Sequence, residues 1–157
     1  MKVLIVLLST FTLSVIISHF FVGDWNIILS GNLAMMLMLC FSALGHFMFT
    51  DGMVLMMPAF VPFKKPLVYI TGILEPTLGI ALLFSQTRHV TGIALLVMFV
   101  LMLPANINAA LKHINFEKAT YDGNGPAYLW FRVPLQLLFI GWVLYFSVGV
   151  QNIFYPA

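Results

Sequence analysis

Five apolar runs, at 3–22, 27–49, 66–84, 90–111 and 127–147, decide what this 157-residue chain can become. Each approaches or exceeds the roughly 20 residues that an α-helix needs to cross the hydrocarbon core of a bilayer. All the charged residues except Glu75 and Arg132 fall outside the runs. Charged residues make up only 8% of the chain and hydrophobic ones 62%, whereas soluble domains carry about a quarter charged. Such a chain cannot cover itself with a polar surface, so the expected fold is all-α: an integral membrane bundle of five transmembrane helices.

The remaining composition excludes several functions. The net charge of +2 comes without a basic cluster, so nucleic acid is not an expected partner. The single cysteine, Cys40, lies inside an apolar run. An internal disulfide, a CxxC redox pair and a cysteine zinc site are therefore ruled out, and no metal site is expected. Haem ligation by two histidines needs both at one depth. His19 and His46 sit at opposite ends of their runs, and His89 and His113 lie in loops on opposite sides.

Lysine placement sets the orientation. With the N-terminus on one side, that side holds Lys2, Lys64, Lys65, Lys112 and Lys118, and the other holds only Arg88. The positive-inside rule places the lysine side in the cytoplasm. The expected location is the bacterial cytoplasmic (inner) membrane, with the N-terminus cytoplasmic and the C-terminus outside. The first run reads as a retained helix, because its apolar core is long, only Lys2 precedes it and no A-x-A site follows. The chain divides into an extra N-terminal helix, 1–26, and a four-helix core, 27–157. The segment between the second and third runs, "TDGMVLMMPAFVPFKKP", is too apolar for a free loop. It is expected to lie in the interface or dip back into the protein.

Intramembrane polar residues are expensive and mark functional candidates. Counting about 1.5 Å per residue from the cytoplasmic helix ends puts His46 roughly 5 Å deep and Glu75 roughly 13 Å deep. Asn106 and Arg132 both come out roughly 8 Å deep, with Asn108 shallower and Gln136 one turn deeper than Arg132. Four helices thus bring polar groups to the cytoplasmic half, which points to one shared pocket. Glu75 and His46 are the candidate catalytic residues, and Asn106, Asn108, Arg132 and Gln136 the candidate ligand-binding ones. Pro76, Pro104 and Pro134 lie beside them and are expected to free the carbonyls of Gly72, Val100 and Trp130. Gly72 and Gly79 share a face with Glu75 and allow a neighbouring helix to approach. The counter-charge expected for Glu75 is Arg132, with a protonated His46 as the weaker alternative. The competing reading is that these groups only clamp helices together.

Several stretches also resemble a known family. Gly45-His46-Phe47, Pro58 and Pro62, then Val68-Tyr69, Thr71-Gly72 and Glu75, then Pro104-Ala105-Asn106-Ile107, and finally Arg132, Pro134 and Gln136 follow one another in an order and spacing similar to the DoxX-like family of small bacterial membrane proteins (the DoxX, DoxD and MauE type). The resemblance covers about residues 27–147 and implies a four-helix core. It also implies association with membrane redox complexes, since the family name derives from likeness to the small membrane subunit of a thiosulfate:quinone oxidoreductase. The expected function is a small membrane subunit or partner of a redox system, with a pocket for a quinone or another hydrophobic small molecule. The expected partners are the lipid bilayer and a membrane or soluble oxidoreductase. A stand-alone binder, transporter or isomerase for a lipid-like ligand, using Glu75, is one alternative. A structural or assembly subunit is another.

Overall fold

Backbone groups in lipid have no water to bond, so apolar runs resolve into helices whose hydrogen bonds are internal. The computed structural model describes residues 2–149 and follows this rule. Its helices are α1 (Lys2–Val22), α2 (Ile27–Met48), the short α3 (Thr50–Met56), α4 (Lys64–Ala81), α5 (Ser85–Leu111) and α6 (Leu129–Val143). A 3₁₀ turn, Gly125–Tyr128, leads into α6, and a π turn, Leu144–Val148, follows it. Among the described residues there is no strand, only an isolated bridge between Asn115 and Thr120. The expected outside C-terminus and the end of the 27–157 core fall on residues 150–157, outside the described residues.

Four segments are long and apolar enough to cross a membrane: α1, α2, α5 and the stretch from Gly125 to Val148 that contains α6. The third expected span is α4. It has 18 residues and carries Lys64, Lys65 and Glu75, which sets it below the other four. Large side chains such as Phe21, Leu101 and Trp130 are more than 70% exposed. A surface of this kind suits hydrocarbon, not water.

The helix α2 is the axis of the bundle. Met35, Met38 and Leu39 on it pack with Leu7 of α1, Leu82 after α4, Leu95 of α5 and Val143 of α6. α1 is joined through more than the chain, since Phe11 meets Trp142 edge-on at 5.0 Å. Asn26 caps α2 by accepting from the Leu29 amide, and His19 stacks on Trp25 beside the α1–α2 turn. Only Leu82, Leu83 and Phe84 separate α4 from α5. There Arg88 donates to the carbonyls of Leu82 and Leu83, and Thr87 to that of Ala81, which satisfies the last carbonyl of α4 and the two that follow it in the turn.

α2 and α4 run antiparallel and very close. Met36 lies beside Gly79, and His46 beside Gly72. A Cβ on Gly72 would stand 2.7 Å from that of His46, so glycine is what permits this approach. This agrees with the role expected of Gly72 and Gly79. At the opposite end of α2, Asn32 is fully buried and fully satisfied. It donates to the carbonyls of Ile28 (2.8 Å) and Phe146 (2.9 Å) and accepts from the Ser147 hydroxyl (2.8 Å). It ties α2 to the π turn.

Candidate functional site

The site begins where α2 touches α4. His46 and Glu75 are both buried, and Nε2 of His46 lies 3.2 Å from Oε1 of Glu75. The other ring nitrogen, Nδ1, is 3.0 Å from the Val68 carbonyl and 3.1 Å from the Thr71 hydroxyl. A carbonyl only accepts, so Nδ1 carries a proton and donates to Val68. Thr71 sends its own hydrogen back to the carbonyl of Leu67 or Val68. A hydrogen bond between Nε2 and Oε1 at 3.2 Å requires one proton shared between them. On the ring it gives an imidazolium–carboxylate pair, and on the acid a neutral pair. The net charge is zero in both cases, which lowers the cost of burying two ionisable groups in an apolar bundle.

Arg132 is not the partner of Glu75 that the sequence suggests. Its Nε donates to Oδ1 of Asn106 at 3.2 Å, and Nδ2 of Asn106 donates to Oε1 of Gln136 at 3.2 Å. Gln136 in turn donates to the carbonyl of Phe99. That carbonyl lies one residue before Val100, the one expected to be freed by Pro104, so the α6 side chain meets α5 next to the expected position and not at it. Among the described residues Arg132 has no carboxylate within ion-pair distance. The depth count misleads for His46 and Glu75 because it follows Cα atoms. Each Cα–Cβ bond tilts toward its own helix N-terminus. In this antiparallel pair His46 therefore leans deeper and Glu75 leans shallower, and the two converge.

Two cavities adjoin these groups. The larger, about 630 Å³, lies between α2, α4 and α5, beneath α3 and the segment 57–63. Its walls are mostly apolar, with His46, Thr71, Ser42, Asn106 and Arg132 as the polar points. Its size is that of a small-molecule site. Leu74, Val97 and Leu101 line it and are themselves exposed, so it opens sideways between α4 and α5. The smaller, about 60 Å³, is walled by Glu75, Ser42, Asn106, Arg132 and Gln136 among apolar neighbours. Ser42, Met102, Asn106 and Arg132 belong to both. Oε2 of Glu75 is buried and has no hydrogen-bond partner among the described residues.

The structure therefore brings His46, Glu75, Asn106, Arg132 and Gln136 to these two cavities and sets Asn108 apart. Asn108 donates to the Met56 carbonyl at 2.8 Å and lines neither cavity. With Lys64 donating to the Met57 carbonyl (3.1 Å) and Lys65 beside Asp51 (3.6 Å), it holds down the segment that roofs the larger cavity. Ser42 and Thr71 complete the site. For Ser42 the available signal was its place one helical turn before His46, on the same face. For Thr71 it was the same spacing before Glu75. Among the described residues no group of three or more histidine, cysteine or acidic side chains is placed to hold a metal ion.

No curated protein and no solved structure matches the chain significantly. The profile of a domain of unknown function, DUF8561, matches residues 35–147. The matched stretch runs from within α2 to the π turn, contains every polar residue of the site and leaves α1 outside. On this match, which spans well over half of its length, the chain belongs to the DUF8561 family.

Proposed function

We propose that this chain is a multi-pass protein of the bacterial cytoplasmic membrane that binds a quinone-like hydrophobic small molecule drawn from the bilayer. In this reading it crosses the membrane five times, α4 included, with the lysine-rich side in the cytoplasm. It acts as the small membrane subunit or partner of a redox system of the DoxX-like type. The observation that carries the reading is the larger cavity: apolar walls, a side opening toward lipid and a cluster of polar groups at one place. A ligand that partitions into hydrocarbon and carries carbonyl oxygens matches that distribution. Arg132 and Ser42 supply donors to such oxygens, while Asn106 and Gln136 hold the Arg132 guanidinium in place. The His46–Glu75 pair supplies a proton site beside the cavity. A bound quinone would contribute the two-electron chemistry, with electrons delivered by a partner oxidoreductase.

A second reading keeps the ligand and drops the redox partner: a stand-alone binder, transporter or isomerase for a lipid-like molecule. The unpartnered Oε2 of Glu75 favours it, because a buried carboxylate oxygen without a partner, on a residue that lines a cavity, can itself accept a proton from a ligand.

The test is native mass spectrometry with lipid extraction on full-length protein purified in mild detergent. A quinone that co-purifies with wild type and is lost in Asn106→Ala and Arg132→Gln supports the first reading. A different amphiphile lost in the same variants supports the second. If nothing co-purifies and the variants only unfold earlier, the polar groups are a helix clamp and both readings fail.

A further inference from the structure

We infer that the smaller cavity is a water-filled link that carries the shared proton of the His46–Glu75 pair to the larger cavity. The inference holds whatever molecule the larger cavity takes. Three observations meet here. Oε2 of Glu75, on a side chain only 2% exposed, has no partner within the described residues and belongs to a group lining the small cavity. At about 60 Å³ the cavity has room for about two waters at roughly 30 Å³ each. Its remaining polar walls, Ser42, Asn106, Arg132 and Gln136, offer the two to four partners that a buried water needs.

Arg132 gives the link its electrostatic logic. Among the described residues, the titratable side chains on the two cavity walls are Glu75, His46 and Arg132. With the shared proton in place the pair is neutral and Arg132 carries +1. When the proton leaves, it passes from Nε2 to the Glu75 carboxyl, the carboxyl turns to carry it from the Oε1 to the Oε2 position, and there its O–H bond breaks as a bond to water oxygen forms. The pair is then a carboxylate and a neutral imidazole, charge −1, opposite Arg132. Arg132 makes no ion pair with Glu75, so the carboxylate is left free to face the small cavity while the guanidinium lines the same wall. Because Ser42, Met102, Asn106 and Arg132 wall both cavities, a water chain that starts at Oε2 ends against whatever occupies the larger one.

The experiment uses the full chain labelled with ¹⁵N-histidine in detergent micelles. The resonance of His46 is assigned by its loss in His46→Asn. On transfer to D₂O, Nε2 shows a deuterium isotope shift whether the shared proton sits on the ring or on the acid. The expected result in wild type is a complete shift by the first spectrum. In Ser42→Leu, which fills the gap between the cavities, the shift should be at least tenfold slower. Met102→Phe fills the same boundary from α5 and gives the answer if Ser42→Leu does not fold. Equal rates in wild type and the filled variants overturn the inference. So does a wild type that keeps its shared proton as long as the core amides of α2. Ligand co-purification is scored separately, so failure of the water link and failure of the ligand reading are told apart.

Discussion

Replacing Gly72 with alanine tests whether the α2–α4 contact, and not any single polar group, builds the site. The new Cβ would lie 2.7 Å from the His46 Cβ, 3.3 Å from its Cγ and 3.4 Å from Phe47 Cε2. Carbon atoms rest at about 3.5–4.0 Å, so the helices must part by roughly 1 Å. Overpacking of this kind costs about 1–3 kcal/mol. Alanine returns about 0.5–1 kcal/mol through its better helix propensity. The expected net loss is roughly 1 kcal/mol, within about 0–2.5 kcal/mol. The same displacement stretches the 3.2 Å His46–Glu75 contact beyond hydrogen-bonding range. The matched control is Gly141→Ala in α6, where a Cβ meets no atom within 4 Å. That variant should be neutral or slightly stabilised. Unfolding midpoints in mixed detergent micelles, together with the ¹⁵N signal of His46, measure both effects. Equal midpoints for the two variants, with an unchanged His46 signal, would refute the close-approach argument.

The other predictions concern single contacts. His46→Leu strands Glu75 in the core and should destabilise by about 3–5 kcal/mol, whereas His46→Leu/Glu75→Leu should recover most of that loss; additive losses in a double-mutant cycle would show that the two are not a pair. Asn32→Ala removes three hydrogen bonds and should cost about 1–3 kcal/mol while leaving ligand co-purification intact, since Asn32 lines neither cavity. Asn108→Ala frees the Met56 carbonyl and should cost about 1 kcal/mol. Limited proteolysis of that variant should cut faster within residues 57–63, and an unchanged cleavage rate would count against the roof-holding role.

Much of the architecture is legible in the sequence because lipid leaves the backbone few choices. The second run, 27–49, becomes Ile27–Met48 almost residue for residue. Boundaries drift where hydropathy and backbone bonding part company. The fourth run begins at 90 by apolarity, but α5 begins at Ser85, because its polar first turn folds back to satisfy α4 through Thr87 and Arg88. The apolar segment after α2 is expected in the interface or dipping back; its first part forms α3, and the rest roofs a cavity. For the site, the convergence of His46, Glu75, Asn106, Arg132 and Gln136 on one region follows from counting residues along helices. The pairing within it does not. Glu75 bonds His46 instead of Arg132 because side chains lean along their helices and Gly72 brings two backbones together. A depth count holds neither term.

The three-residue turn between α4 and α5 bears on how the protein is made. On the five-span reading, α4 is the segment least able to enter the bilayer alone: 18 residues, about 27 Å of helix, with Glu75 near its middle. α5 has 27 residues, and its side chains bond the last carbonyl of α4 and two carbonyls of the turn. The pair is therefore suited to leave the insertion machinery as one helical hairpin, with the longer arm drawing in the shorter. Glu75 would then enter the membrane only after α2, and with it His46, is already there to receive it.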